Sequence, residues 1–238
     1  MVKVRFTDLG LIEYKKAWDI QQEHFDLISE NKLKNRKKPL EQQVTIENKL
    51  FFCEHPHVYT LGKHGDENNL LLNESELAKK EIGFYNINRG GDITYHGPGQ
   101  IVAYPIFDLD TLFTDIGKFL RLLEEAVILT IAEYGIIGGR IDGLTGVWLD
   151  IDKPQKARKI CALGMHISRW VTMHGLALNV NSDVNFYQHI VACGIQDKGV
   201  TSMQKELGYN VDIDEVKSKL LKHLQQLFNI EWIKNSNV

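Results

Sequence analysis

The stretch TDIGKFLRLLEEAVILTIAEYG, residues 114–135, constrains the fold more than any other part of the chain. Ile116, Phe119, Leu120, Leu123, Val127 and Ile131 recur at helical spacing, which lays an apolar stripe along a helix that Gly135 closes. Such a stripe needs an apolar surface to lie on. QIVAYPIFDL (100–109), a few residues earlier, supplies one, since it is β-branched and apolar and reads as a buried strand. A buried strand feeding an amphipathic helix points to a sheet covered by helices.

The same two patterns alternate elsewhere. EYKKAWDIQQEHFDLISE (13–30) has helical periodicity, with Trp18, Phe25 and Leu27–Ile28 near one side. It leads into NKLKNRKKPLEQQ (31–43), a basic stretch closed by Pro39 that reads as an exposed connection. NKLFFCEHPHVYTLG reads as a strand interrupted by a turn at Pro56 and ended by Gly62. NESELAKKEIG is a short helix capped by Asn73 or Ser75 and stopped by Gly83. GRIDGLTGVWLDI, RKICALGMHI and WVTMHGLALNV are strands, and DIDEVKSKLLKHLQQLFN is a last helix with Val216, Leu220, Leu224 and Leu227 on one face. No repeat or domain boundary interrupts the series. The expectation is one α/β (α+β) domain over residues 1–238, a mixed sheet flanked by helices.

Whole-chain properties exclude several classes. No apolar run approaches the roughly 20 residues of a membrane-spanning helix, and MVKVRFTDLG lacks a secretory pattern. Three cysteines without CxxC spacing argue against a disulfide framework and fit a reducing, cytoplasmic location. A net charge of −3 gives no support for nucleic-acid binding.

Three segments carry possible chemistry. NRGGDITYHGPGQ (88–100) is rich in glycine, and Gly90, Gly91, Gly97 and Gly99 allow close backbone approach, with Arg89, Tyr95 and His96 able to face a ligand. The same glycines would equally serve a tight connection. The pattern is neither GxGxxG nor a Walker loop. In ARKICALGMHI (157–167), strand alternation puts Lys159, Cys161 and Leu163 on one side and Ile160, Ala162 and Gly164 on the other. A lysine there is either led out to solvent or used. QHIVACGIQDKG (188–199) holds Cys193, either a small core residue or a loop thiol that a nearby cation such as Lys159 would activate. Cys53, His55 and His57 could alternate on one face as metal ligands, but Pro56 breaks the pairing and no further motif completes a set, so no metal is expected.

Taken in order, RGGDITYHGPGQIVAYPIFDL, RKICALGMHISRWVTMHGLALNV and VACGI, with HPHVYTLG upstream, closely resemble the octanoyltransferases of lipoate biosynthesis, within the biotin/lipoyl protein ligase-like fold group. The resemblance is strongest over 44–205. It implies a catalytic pair, Cys193 as acyl-thioester nucleophile and Lys159 as the group that lowers its pKa and moves protons. It further implies an acyl pocket formed by Arg89, Gly90, Gly91, Asp92, Ile93, Thr94, Tyr95 and His96, by Ala162, Leu163 and Gly164, and by Gly175, Leu176 and Ala177. Two positions depart from the family pattern. Ala192 stands where proline is common before the cysteine, and Cys161 where alanine is usual.

The implied reaction moves an octanoyl group from octanoyl-acyl carrier protein to Cys193, then to the lysine of a lipoyl domain, in 2-oxoacid dehydrogenase E2 subunits or the glycine cleavage H protein. It needs no cofactor and no ATP. Lys153, Lys156 and Arg158, in the turn before Lys159, are candidates to dock an acidic carrier protein or to form a solvated turn. Two other readings remain: an ATP-dependent lipoate-protein ligase of the same fold, and a non-catalytic protein that binds acyl carriers or lipoyl domains.

Overall fold

The computed structural model describes residues 1–191 and 198–233. The elements in chain order are β1 (Val2–Leu11), α1 (Tyr14–Asn35), β2 (Asn48–Glu54), β3 (Val58–Leu61), α2 (Glu74–Lys79), β4 (Gly83–Asn86), β5 (Ile93–His96) and β6 (Gln100–Ile106). There follow α3 (Ile116–Ala132), β7 (Gly138–Ile141), β8 (Leu144–Leu149), β9 (Arg158–Ser168), β10 (Val171–Asn179), β11 (Gly199–Val200), α4 (Met203–Leu207), α5 (Ile213–Phe228) and β12 (Ile230–Ile233).

Among the described residues the main sheet runs β12-β1-β2-β6-β10-β9-β8-β7, with β11 beside β9, and a smaller sheet runs β4-β3-β5. The main sheet is mixed: β1 is parallel to β12 and β2, while the pairs from β2 through β7 are antiparallel. The central strand β6 is buried along its whole length because helices cover both of its faces. Ile101 and Ala103 pack with Phe119, Leu123, Val127 and Leu220 of α3 and α5. Val102, Tyr104 and Ile106 pack with Ala17, Phe25 and Ile28 of α1. Period-two alternation therefore serves two cores at once.

Local chemistry sets the helix boundaries. Asp115 caps α3 through Lys118 N, and Asp212 caps α5 through Asp214 N and Glu215 N. Asn73 and Glu76 form a reciprocal capping box on α2. On α5, Val216, Leu220, Leu224 and Phe228 are buried, each contributing roughly 1.5–3 kcal/mol of apolar burial.

The structure differs from the sequence reading in several places. The first helix runs on to Asn35, so the basic connection begins inside it, and Lys32 is buried against Asp108 and Asp110 instead of exposed. Leu27 and Ile116 face solvent. On the last helix Phe228, not Leu227, completes the buried face. Gly83 starts a strand, and the short helix stops earlier, at Lys79.

The largest difference is on β9. Between Val147/Trp148 of β8 and Cys161/Lys159 of β9 the register slips, so two steps of β9 stand against one of β8. The bulge reverses the alternation at that end. Lys159 therefore does not share a side with Cys161. Ile160 and Cys161 enter the α3/α5 core, and Lys159 turns to the opposite side with Ala162 and Gly164.

Candidate active site

A cavity of about 500 Å³ opens on the α1 side of the main sheet, between β9, β10 and the loop that precedes β5. Its position follows from three backbone contacts. Gly90 N donates to Met165 O of β9 at 2.8 Å, while Lys63 N donates to Arg89 O at 2.9 Å and Gly62 N to Asp92 O at 3.2 Å. The loop is thereby held between the two sheets. Gly164 makes the approach possible: a Cβ there would lie 2.9 Å from Gly90 O and 3.0 Å from Arg89 Cδ.

Most of the residues singled out from sequence meet at this cavity. Arg89, Gly91, Asp92, Ile93, Thr94 and His96 line one wall, Ala162, Leu163 and Gly164 another, and Gly175, Leu176 and Ala177 a third, with Lys159 at the β8 end. Two do not line it. Gly90 contributes its peptide to the loop's anchorage. Tyr95 points away, its hydroxyl hydrogen-bonded to His57 Nδ1 at 2.7 Å and its ring stacked on Phe186 at 5.0 Å. Ala192 and Cys193 lie outside the described residues.

The polar groups of the cavity are held in defined states. The buried Arg89 guanidinium donates to Thr60 O at 2.7 Å, Thr60 Oγ1 at 3.0 Å and Gly90 O at 3.1 Å. Asp92 accepts from Asn69 Nδ2 at 2.6 Å and Ile93 N at 2.7 Å, so its carboxylate ties the loop. His96 Nδ1 donates to Gln100 Oε1 at 2.7 Å, because the Gln100 amide nitrogen is used toward Asn179 Oδ1 at 2.9 Å. Burial, then the neighbouring His55, push the His96 pKa down to about 3. His174 Nε2 donates to Asn88 Oδ1 at 2.9 Å, and burial, then Arg89, bring its pKa to about 3. Both imidazoles are neutral at pH 7. The cavity thus offers Lys159, Lys198, a buried arginine, the loop-tying Asp92 and, between them, walls of small and apolar residues.

Cys53 and His55 are buried beneath this site. His55 Nδ1 donates to Ile12 O at 2.7 Å, leaving Nε2 to accept from the Tyr104 hydroxyl at 2.8 Å. His57 has a separate partner in Tyr95. Cys53 Sγ lies 3.5 Å from His55 Nε2, so His57 stands apart from the other two. Cys161 is fully buried, and burial pushes its thiol pKa far up. In the turn before β9, Arg158 is engaged by Asp150 and by Glu206 (2.5 Å), whereas Lys153 and Lys156 are exposed.

Sequence reasoning did not single out Tyr14, Trp148 or Lys198, which also line the cavity, and it weighed His174, another lining residue, only as a dyad partner for Cys193 and set it aside. Lys198 had a usable signal, since it lies inside the Cys193 segment, whereas the place of Trp148 depends on the β8–β9 pairing. Tyr14 had none, since its proximity depends on α1 packing across β10, whereas His174 directly precedes Gly175 on β10.

Comparison with known proteins locates the chain. The family described as "Lipoyl protein ligase A/B catalytic domain" matches residues 13–225. The octanoyltransferase of Cytophaga hutchinsonii is 58% identical over 227 residues, covering 95% of this chain and 93% of that protein. That of Flavobacterium johnsoniae is 59% identical over 232 residues, covering 97% and 99%. The bipartite lipoate protein ligase from Thermoplasma acidophilum superposes with a TM-score of 0.69, covering 100% of this chain and 88% of that one. At 16% identity this likeness is one of fold.

Proposed function

The chain belongs to the lipoyl protein ligase A/B catalytic-domain family, and on that premise we propose that it is an octanoyltransferase of protein lipoylation. The observation that carries the reading is the near-full-length identity to octanoyltransferases. The cavity supports it, since its walls of glycine, alanine, leucine and isoleucine suit an alkyl chain and Lys159 stands at one end. At about 0.8 kcal/mol per buried methylene, an eight-carbon chain gains several kcal/mol there.

The donor is octanoyl-acyl carrier protein. The Cys193 thiolate attacks the thioester carbonyl; a carbon–sulfur bond to Cys193 forms, the bond to the phosphopantetheine sulfur breaks, and that sulfur leaves as a thiol after taking a proton. The lysine amine of a lipoyl domain then attacks the octanoyl-Cys193 thioester. A carbon–nitrogen bond forms, the carbon–sulfur bond breaks, and the amine's proton returns to the Cys193 sulfur. Lys159 stabilises the thiolate as a cation and relays the proton in both halves. Thioester exchange is near thermoneutral and amide formation is downhill, so no nucleotide is consumed. Arg89 through His96, 162–164 and 175–177 form the acyl pocket, with Tyr95 and Gly90 supporting it from behind.

Incubating the protein with octanoyl-acyl carrier protein and an apo lipoyl domain, with nucleotide removed, tests this. Octanoylation of the lipoyl-domain lysine supports transfer. A product that forms only with free octanoate and ATP would instead make the chain a ligase, and binding without product would make it a carrier.

A further inference from the structure

Lys159 carries a long flexible stem, and a cation that must act at one point in a cavity has to be held there. The structure holds it on an aromatic face. Lys159 Nζ lies 4.6 Å from the centroid of the Trp148 ring. Trp148 is 2% exposed, lines the cavity, and donates from Nε1 to Leu144 O at 3.0 Å, which fixes the ring and the turn beside it.

The other side of the slot is Gly146. Its φ is +129°, and a Cβ there would lie 2.7 Å from Cys161 O and 3.3 Å from Lys159 Cε. A side chain there would be strained by φ, would clash with the Cys161 carbonyl and would crowd the lysine stem, so glycine keeps this side of the slot open. The Gly146 peptide is pinned from behind, its N–H donating to Glu124 Oε1 at 2.9 Å. Glu124 is 0% exposed and its charge is met by Arg140 Nε at 3.0 Å and Arg121 at 2.7 Å. A buried carboxylate on a helix otherwise facing an apolar core needs such a reason to be there.

We propose that Trp148 is the residue that positions the Lys159 ammonium for acyl transfer, with Glu124 fixing the Gly146 peptide that completes the slot. The choice of an aromatic partner has a physical consequence. The ring quadrupole orients the cation and does not itself neutralise it. The inference rests on the reading of Lys159 given above.

Single-turnover octanoyl loading, followed by intact mass, tests it in wild type, Trp148→Phe, Trp148→Leu, Lys159→Met and the Trp148→Leu/Lys159→Met double variant. Trp148→Leu lowers the loading rate about tenfold with KM for the octanoyl donor within about twofold, while Trp148→Phe, which keeps a ring face, stays within about threefold of wild type. In the Lys159→Met background, Trp148→Leu causes no further loss. Should Trp148→Leu not fold, Trp148→Met, whose longer and more adaptable side chain also lacks a π face, carries the same expectation. Equal losses in both backgrounds, or a raised KM at unchanged rate, would overturn the positioning role and leave the octanoyltransferase reading standing. Wild type that acquires no octanoyl group, or Lys159→Met that loads as fast as wild type, would instead remove the underlying reading and the proposal together.

Discussion

Lys159 and Cys161 stand two residues apart on β9 and face opposite sides of the sheet, the ammonium over the Trp148 ring at the cavity and the thiol in the α3/α5 core. The bulge against β8 separates them. Closeness in sequence therefore does not make Cys161 a partner for the lysine. Cys161→Ala should leave octanoyl loading within about twofold of wild type and cost about 1 kcal/mol of stability, the loss of one buried heavy atom. Loading kinetics and a urea melt check both. Loss of the acyl adduct in Cys161→Ala would reverse the assignment.

The loop and β9 meet too closely for a side chain at Gly164, where a Cβ would lie 2.9 Å from Gly90 O. Gly164→Ala should push the Arg89 loop outward and raise the KM for the octanoyl donor about tenfold, with a smaller effect on kcat. Unchanged kinetics would mean that the loop can shift without deforming the pocket.

Buried neutral histidines make stability pH-dependent. Burial lowers the pKa of His55 to about 4 and of His96 and His174 to about 3. In the unfolded chain each titrates near ~6.5. Above that pH both states are neutral and the three contribute no slope. As the pH falls below it, the unfolded chain takes up protons that the folded chain refuses, so stability drops by up to roughly 1.4 kcal/mol per pH unit for each group until the folded pKa is reached. Urea midpoints measured from pH 7.5 down to 5 should fall, and less steeply in His96→Asn. A flat profile across that window would show that the imidazoles become charged in the folded protein.

Arg158 is occupied by Asp150 and Glu206, which leaves Lys156 and the largely exposed Lys153, at 3.9 Å from Asp150, as the accessible part of the basic turn proposed to dock the carrier protein. Reversing both charges to Glu should raise KM for octanoyl-acyl carrier protein about tenfold at low salt and leave a small octanoyl thioester unaffected. Equal effects on the two donors would remove the docking role.

Much of this architecture is legible in the sequence because its period is local. Leu123, Val127 and Ile131 on α3, or Ile101 and Ala103 on β6, declare their burial within one turn or one pleat. β1 does not, since its place depends on parallel pairing with β12 from the far end of the chain. Glu124 reads as a polar position on an amphipathic helix, because the groups that justify its burial, Arg140 and Gly146, come later in the sequence. The bulge that redirects Lys159 is equally invisible, for it is a property of the β8–β9 pair. The site was readable where motif residues are contiguous, in the loop before β5 and in 162–164 and 175–177. It was not readable where Tyr14 and Trp148 arrive from separate elements, or where Tyr95 turns its ring to the other face.

Acyl transfer through a thioester on Cys193 leaves a mass signature that intact-protein mass spectrometry reads after incubation with octanoyl-acyl carrier protein. Wild type should carry one octanoyl group that a lipoyl domain discharges, and Cys193→Ala should carry none and transfer nothing. An adduct that persists in Cys193→Ala, or transfer by that variant at the wild-type rate, would show that Cys193 is not the nucleophile.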